Sequence, residues 1–394
     1  MTGPRVGLIH PRFELGGSEA VALWSAEALK ADHRVSLIAA GEVDLARLNL
    51  YYGTHLNTDE ITIVPVPLPF GLARAAGFAA LRGRLVQRFL QRIPEDYDVL
   101  IGCYGPMDVG SPAIQIIQDF SFSEEWRARL DPVLFERRGL ASEGSMSRKF
   151  YLRLCDWVSP VNEEAWKRNL TLVNSKWTCD IMKESYGIES KVVYPPVACD
   201  FPAIPLRDRD NGFVCLGRVA PEKRVDVIIR ILAQLRQRGH RVHLHILGGL
   251  DESPYATKVK TLAEQHKDWV FLEGWAMGQR KIDLLAGHRY GIHGRGNEPF
   301  GIAVAEMVLA GCIVFVPQGG GQMEIVNHPA LVYENEADAV EKIDTVLTHE
   351  AKQENLHNHL CLGSDRFSVK TFVGTMQDVV ARFLEEKAAT KRSV

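Results

Sequence analysis

One stretch, residues 291–326, constrains the fold of this 394-residue chain more than any other. Its composition predicts a polar loop, a helix over Ile302–Leu309, a short apolar strand over Cys312–Val316, and a loop of three successive glycines. This order of elements is typical of an α/β protein with a parallel sheet. Glu298 lies in the polar loop, and Glu306 is the charged residue of the otherwise apolar helix.

These two carboxylates suit a ligand that carries both a phosphate and hydroxyl groups. A helix N-terminus offers N–H groups and a partial positive charge, so we expect the backbone of Phe300, Gly301 and Ile302 to bind phosphate. Carboxylates only accept hydrogen bonds, which suits sugar hydroxyls. The alternative is a buried strand and helix with incidental acids, but charged residues are seldom buried without a partner. The stretch therefore predicts a sugar-nucleotide site.

On these residues the stretch resembles the donor site of family 4 retaining glycosyltransferases of the GT-B fold, which carry two glutamates at this spacing around a Phe-Gly helix start. It is most similar to the mannosyltransferases of lipid-linked oligosaccharide assembly. Residues 217–224, GRVAPEKR, resemble the family's Gly-Arg-x-x-Pro-Glu-Lys motif, with Arg224 in place of the usual glycine. Residues 174–178, NSKWT, match the Asn-Ser-x-Trp-Thr run of the same mannosyltransferases, and we expect a structural cap there. The resemblance implies an α/β protein with two Rossmann-like domains whose parallel sheets face a central cleft.

The resemblance also implies roles for residues of the second half. We expect Arg218 and Lys223 to hold the donor diphosphate and to stabilise the charge that grows on it as the glycosidic bond breaks. Glu298 would accept hydrogen bonds from the donor sugar, Glu306 from the ribose, and Trp275 would contact the nucleobase. Retention suggests a front-face displacement in which the leaving phosphate takes the acceptor proton. We therefore expect no metal and no other cofactor.

Two features raise the question of a metal site. Asp208-Arg209-Asp210 follows no apolar strand, so it is interpreted as a solvated linker. His243 and His245 would point to one side of a strand, where such a pair is more often part of the core than a ligand. The seven cysteines include no CxxC, and no His/Cys cluster has metal-site spacing. This pattern predicts reduced thiols and a cytoplasmic setting.

The first half begins with a βαβ pattern, with a strand over Val6–Ile9 and a helix over Glu19–Lys30. Gly16 and Gly17 precede that helix, and in the family the matching loop faces the donor phosphates. A tight turn without a ligand is the alternative. The loop is not the fingerprint G-x-G-x-x-G, which disfavours a dehydrogenase.

Gln118 and Asp119 follow the predicted strand Ala113–Ile117. Many relatives have a histidine near this strand end, thought to contact the donor sugar or to help catalysis. Gln118 can contact a sugar or acceptor but cannot transfer protons. Asp119 is the nearest ionisable group and would be the base of an inverting enzyme. A helix N-cap before Phe120 is the alternative for Asp119.

Residues 70–92 carry five arginines and no acid. They predict peripheral contact with an anionic membrane, a site for an acceptor phosphate, or a solvated helix face. The net charge of −3 gives no case for a nucleic-acid partner. The chain start lacks an apolar signal core, and no apolar run reaches about 18 residues.

The predicted organisation is an acceptor-side domain over residues 1–198, a linker over 199–212, a donor-binding domain over 213–371 and a C-terminal helix over 372–394. The family implies that this helix packs back on the first domain. The predicted function is retaining transfer of a hexose from GDP-mannose or a UDP-sugar to a hydroxyl of a saccharide, a lipid-linked sugar or a small molecule. A non-catalytic sugar-nucleotide binding subunit and an epimerase of the same fold are the alternatives.

Overall fold

The computed structural model describes residues 3–69, 71–72, 78–130 and 146–392. The chain divides into two compact units. The first unit combines Met1–Ala198 with Ser368–Val394, and the second is Cys199–Phe367. In both units the recorded strand pairings are parallel, and helices alternate with the strands, so each unit is Rossmann-like.

The sheet of the first unit has the strand order β3-β2-β1-β4-β5-β6-β7. Its strands are β1 (Arg5–His10), β2 (Arg34–Ala39), β3 (Ile61–Pro65), β4 (Val99–Gly102), β5 (Ile114–Ile117), β6 (Leu170–Val173) and β7 (Ser190–Val192). Its helices are Gly17–Leu29, Leu45–Tyr52, Ala79–Leu90, Glu124–Leu130, Met146–Val158, Glu163–Lys167, Lys176–Tyr186 and Val369–Arg392. The last of these packs on helix Gly17–Leu29 and contributes Phe372, Met376 and Val380 to the core of this unit.

The sheet of the second unit has the strand order β10-β9-β8-β11-β12-β13. Its strands are β8 (Asp210–Leu216), β9 (Leu244–Leu247), β10 (Val270–Gly274), β11 (His288–Ile292), β12 (Ile313–Pro317) and β13 (Val332–Tyr333). Its helices are Val225–Gln237, Pro254–Gln265, Gly278–Gly287, Ile302–Leu309, Gln322–Val326, Glu336–Leu347 and Glu350–Cys361. Strand β12 is apolar and buried along its length, and β8 is buried from Gly212 to Cys215, as expected when helices cover both faces of a parallel sheet.

The segment interpreted as a solvated linker contains a buried arginine, so that interpretation is wrong for Arg209. Arg209 is 5% exposed, and its guanidinium donates hydrogen bonds to the carbonyls of Ile204 at 3.0 Å and Ala310 at 2.7 Å. Ala310 follows helix Ile302–Leu309, whose last carbonyls have no partner within the helix. A cation is favourable at such a helix end, and this explains why the charge is buried. Strand β8 then begins at Asp210, inside the predicted linker.

Within the described ranges, each helix is too short or too polar to cross a bilayer.

Candidate active site

The site residues predicted in the second half follow the carboxyl ends of its parallel strands. Arg218 follows β8, Trp275 follows β10, and the loop that carries Glu298 follows β11. Parallel pairing of neighbouring strands places these ends at one edge of the sheet. That edge is where open α/β sheets bind their ligands.

Glu298 is held by three basic side chains. Its carboxylate lies 2.6 Å from Lys223 Nζ, 3.4 Å from Arg295 Nη1 and 3.3 Å from His293 Nε2, and its side chain is 13% exposed. Burial alone would raise the pKa of Glu298, but the charges of Lys223 and Arg295 and the hydrogen bond from His293 hold that pKa well below its usual value. The carboxylate is therefore ionised at neutral pH and can only accept hydrogen bonds.

The glycine loop after β12 fixes the backbone at Glu298. The Gly321 N–H donates to the Glu298 carbonyl at 2.8 Å, and Gly320 forms a bridge with Glu298. Gly320 has a φ of +84°, and a Cβ at this position would overlap the Glu298 carbonyl oxygen. The side chain of Gln322 is buried and donates to the carbonyl of Arg295 at 2.8 Å. The loop therefore strongly favours glycine at position 320, and it holds the main chain at Glu298.

The two predicted diphosphate-binding cations differ in environment. Lys223 ends the short helical turn Pro221–Lys223, and its ammonium is largely buried against Glu298. The side chain of Arg218 is 66% exposed, and its Nη2 lies 3.5 Å from Glu222. Arg218 is thus open to a ligand, whereas Lys223 is paired with the predicted sugar-binding carboxylate.

Arg224, which replaces the family's usual glycine, has the left-handed backbone that favours glycine. Its φ is 49° and its ψ is 40°, and it directly precedes helix Val225–Gln237. This conformation is strained for a residue with a Cβ. It explains physically why glycine suits this position.

The helix over Ile302–Leu309 has the predicted bounds and begins after Gly301, whose φ is +100°. Gly301 provides no capping side chain, while the Phe300 side chain is buried in the core. Glu306 lies one turn inside the helix and forms an ion pair of 2.8 Å with Lys281 of helix Gly278–Gly287. The N–H groups of the first turn have no partner within the helix, and Glu306 already has a basic partner.

Trp275 is 52% exposed at the end of β10. Its indole lies directly on the backbone of Gly249, where a Cβ would overlap the ring. Gly249 follows β9, so two neighbouring strand ends support the indole. The exposed ring offers a flat surface for a nucleobase.

In the first unit, the predicted phosphate-binding loop uses part of its hydrogen-bonding capacity internally. The Gly16 N–H donates to the Tyr52 hydroxyl at 2.7 Å. The buried carboxylate of Glu19 lies beside Gly16 and accepts from the Ser18 hydroxyl at 3.0 Å. In this conformation the Gly16 N–H already has a partner, and an acid lies next to it. Phosphate binding by Gly16 and Gly17 stays a prediction.

Gln118 and Asp119 lie just after β5. The main-chain carbonyl of Gln118 accepts a hydrogen bond from Asn174 Nδ2 at 2.7 Å. The side-chain Nε2 of Gln118 is buried without a hydrogen-bond partner in the described part of the chain. Asp119 Oδ1 accepts from the Ser121 N–H at 2.9 Å, so Asp119 closes a turn and caps no helix. Ser175 caps helix Lys176–Tyr186, and the predicted structural cap is thereby confirmed.

Sequence reasoning does not identify His293 and Arg295 as partners of Glu298, or Lys281 as the partner of Glu306. It also does not identify Gln322, which holds the main-chain carbonyl of Arg295. Arg295 lies three positions before Glu298, and this spacing is a signal that could have found it. Lys281 and Gln322 come from other elements of the unit, and local spacing cannot reveal them.

Comparison with known proteins agrees with this geometry. Residues 199–359 match the family model described as glycosyl transferases group 1. The structure of Anabaena Alr3699/HepE in complex with UDP and glucose aligns with a TM-score of 0.67 over 96% of this chain and 100% of that one, at 15% identity. The chain has the GT-B fold, and its second unit resembles the glycosyl transferases of group 1. Its two parallel sheets are the Rossmann-like domains of that fold.

Two curated relatives give the likeness more detail. The chain is 25% identical over 374 residues to the alpha-1,3/1,6-mannosyltransferase ALG2 of Mus musculus, and the aligned region covers 86% of this chain and 85% of the relative. It is 28% identical over 227 residues to a GDP-Man:Man(3)GlcNAc(2)-PP-Dol alpha-1,2-mannosyltransferase of Dictyostelium discoideum, which covers 52% of this chain and 45% of that protein. It thus resembles the mannosyltransferases of lipid-linked oligosaccharide assembly.

Proposed function

We propose that this protein moves a hexose, with retention of configuration, from a nucleotide-diphosphate donor to a hydroxyl acceptor. The observation that carries the proposal is the ionised Glu298 carboxylate, held among Lys223, Arg295 and His293 just before an uncapped helix start. Such a group accepts hydrogen bonds from sugar hydroxyls, while the neighbouring cations and backbone N–H groups suit a diphosphate.

In this proposal, Arg218 and Lys223 bind the donor diphosphate together with the backbone N–H groups that begin helix Ile302–Leu309. Lys223 exchanges part of its contact with Glu298 for the phosphate oxygens, and Glu298 then accepts from the sugar. Glu306 accepts from the ribose, and Trp275 stacks on the base. Backbone groups at Gly17 and side chains at Gln118 and Asp119 are the contributions proposed for the first unit.

The transfer step needs no strong protein base. The bond between the anomeric carbon and the donor phosphate oxygen breaks, and the acceptor oxygen bonds to that carbon on the same face. The acceptor proton goes to the departing phosphate. Arg218 and Lys223 stabilise the charge on the diphosphate electrostatically, which makes the proposed step independent of a metal ion. Assignment to the retaining family 4 rests on the motif resemblance.

For the donor we favour GDP-mannose. The name of the Dictyostelium relative gives a GDP-Man donor and a Man(3)GlcNAc(2)-PP-Dol acceptor. A UDP-sugar is the second candidate, because the Anabaena structure contains UDP and glucose. For the acceptor we propose a lipid-linked sugar, and its lipid part would require contact with a membrane surface.

The predicted membrane contact through residues 70–92 stays a proposal. Phe70 and Arg74 lie outside the described residues. Arg84 of helix Ala79–Leu90 forms a 2.7 Å ion pair with Asp156, so this helix faces helix Met146–Val158.

Helix Met146–Val158 exposes an apolar stripe. Phe150, Leu154 and Trp157 are 65%, 49% and 85% exposed, and Lys149 and Arg153 are exposed on the same helix. Aromatic and basic residues in this pattern are typical of helices that lie in a membrane interface. We propose peripheral attachment at the cytoplasmic face through this stripe. Trp157→Ser should weaken co-sedimentation with anionic vesicles, and unchanged co-sedimentation would refute the attachment.

Glu298→Gln tests the proposed function. The substitution removes the charge at nearly constant volume and releases Lys223 for the diphosphate. Transfer from GDP-mannose to a lipid-linked acceptor should fall by about 100- to 1,000-fold, the range for a lost electrostatic contact in a transition state. Calorimetric affinity for GDP should hold or improve. The matched control is Glu341→Gln, which removes an exposed partner of Arg238.

Full transfer activity in Glu298→Gln would overturn the assignment. Wild-type protein that binds GDP but neither transfers nor hydrolyses the donor would support a non-catalytic binding subunit. Conversion of the donor without any acceptor would support an epimerase.

A further inference from the structure

Three histidines converge at the edge of the second sheet opposite the candidate active site. His243 immediately precedes β9, His245 lies near the beginning of β9, and His288 begins β11. One ring nitrogen from each lies within 4.8 Å of the others, and His243 Nε2 is 2.9 Å from His288 Nε2. The amino ends of parallel strands carry no part of the proposed donor site.

Neighbouring groups fix how two of these rings are protonated. His288 Nδ1 is 2.7 Å from the Leu284 carbonyl, which only accepts, so this nitrogen carries the proton. His245 Nδ1 is 2.6 Å from the carboxylate of Glu273, which Arg280 holds in turn at 2.8 Å. The Nε2 atoms of both rings therefore present lone pairs. Metal-binding histidines are oriented in the same way, by a carbonyl or carboxylate on the other nitrogen.

The sheet provides space for the rings to meet. Gly212 lies on β8, between β9 and β11, and a Cβ there would overlap the ring of His243. Phe271 stacks on His245 with ring centroids 4.8 Å apart. His288 is buried, whereas His243 and His245 are half-buried, so solvent reaches one side of the cluster.

We propose that His243, His245 and His288 bind one divalent transition-metal ion of the zinc class through their Nε2 atoms, with water as a fourth ligand. Imidazole suits Zn²⁺, Cu²⁺ and Ni²⁺. Zinc–nitrogen bonds of about 2.0–2.1 Å in a tetrahedron place the nitrogens about 3.3 Å apart, which the present spacing reaches by small ring movements. The ion replaces the proton that His243 and His288 otherwise share.

Local spacing does not reveal this site, because His288 lies 45 residues after His243 and comes from a non-adjacent strand. Asp210, the register partner of His288 on β8, adds a negative charge at the same end of the sheet. The ion connects β9 and β11 across β8, so it should stabilise the second unit without taking part in transfer.

The test is a metal titration of the full chain after treatment with a chelator. Calorimetry with Zn²⁺ should show one ion bound per chain, and Co²⁺ should give the visible bands of four-coordinate cobalt. Half-buried His245→Gln should weaken Zn²⁺ affinity by more than about 100-fold, and Glu273→Gln by about 10-fold, the range for partners of metal-binding histidines. The matched control is the exposed histidine variant His349→Gln, which should bind like wild type.

Absence of Zn²⁺ binding, six-coordinate cobalt bands, or unchanged affinity in His245→Gln would each overturn the proposal. Circular dichroism of each variant checks that the fold is retained, and Glu273→Gln tests the site without removing a ligand. GDP affinity, measured on the same preparations, should not depend on the metal. Failure of Zn²⁺ binding can therefore be distinguished from failure of the proposed donor binding.

Discussion

The two units differ in the charged groups that lie beside the N-terminus of a helix following a parallel strand. In the first unit, helix Gly17–Leu29 begins beside the buried carboxylate of Glu19, and the Gly16 N–H is used by Tyr52. In the second unit, helix Ile302–Leu309 begins without a capping side chain, a few residues after a carboxylate neutralised by Lys223 and its neighbours. A carboxylate competes with phosphate for a helix start, while cations assist it. The contrast favours the proposal that the second unit binds most of the donor diphosphate.

Among tests of this contrast, the largest effect is expected from Lys223→Met. Removal of a partly buried cation that contacts the diphosphate should weaken GDP binding by about 100-fold, since loss of one partner of a buried charge pair costs about 2–5 kcal/mol. Calorimetry measures the affinity, and Lys258→Met, which removes an exposed partner of Asp226, is the control. Unchanged GDP binding in Lys223→Met would break the contrast between the units.

The two glycine loops provide the next test. Gly320→Ala adds a Cβ that overlaps the Glu298 carbonyl at a positive φ, so it should lower the free energy of unfolding of the second unit by about 2–3 kcal/mol. Gly16→Ala is the matched control. Gly16 has an extended φ of −146°, and its new Cβ would meet only the movable end of Glu19, so we expect less than about 1 kcal/mol.

Urea unfolding, with hydrogen exchange to separate the two units, measures both variants. Equal losses of stability would show that the glycine loop of the second unit is no more constrained than that of the first.

A smaller effect, of opposite sign, is expected at Arg224. Arg224→Gly removes the strain of a left-handed arginine and should stabilise the second unit by about 0.5–1 kcal/mol, after the greater flexibility of glycine in the unfolded chain is subtracted. Arg224→Ala keeps a Cβ at the same φ and should give no such gain. A shift in thermal unfolding midpoint for Arg224→Gly alone is the expected observation, and destabilisation by that change would contradict the strain argument.

The smallest expected effect is a pH dependence at His293. Burial lowers the pKa of His293 and outweighs the opposing influence of Glu298. Below its ordinary pKa of about 6.5 the unfolded chain therefore binds more protons than the folded chain, and stability falls as the pH is lowered. His293→Gln should reduce this dependence in urea unfolding between about pH 7.5 and 5. Identical slopes in both proteins would show that His293 does not contribute.

The local elements of the second unit are predictable from sequence, and their contacts are not. Helix Ile302–Leu309 is predicted at its observed bounds because Gly301 and Gly311 flank an apolar run. The strand predicted over Cys312–Val316 is observed one residue later, over Ile313–Pro317. Strand and helix periods are local properties, so one sequence suffices to find them.

Contacts between distant segments explain the remaining errors. The pairing of Lys223 with Glu298 joins residues 75 positions apart. Arg209 is predicted to be a solvated linker residue because its hydrogen-bond acceptor, the carbonyl of Ala310, lies 101 positions further along the chain and cannot be found from local sequence. Motif resemblance identifies Lys223 and Glu298 as site residues, but their ion pair follows from how the strand ends meet.

The ion pair between Lys223 and Glu298 has a consequence for selectivity. Without ligand, Lys223 and Glu298 form an ion pair of 2.6 Å, so a ligand that engages one of them takes from the other its shortest ionic contact. In the proposed binding mode, an intact sugar nucleotide offers phosphate oxygens to the lysine and hydroxyls to the glutamate, and it compensates for both losses. A free monosaccharide or inorganic phosphate compensates for only one. Release of the nucleoside diphosphate product should be favoured for the same reason, because Lys223 and Glu298 can pair again once the sugar has been transferred.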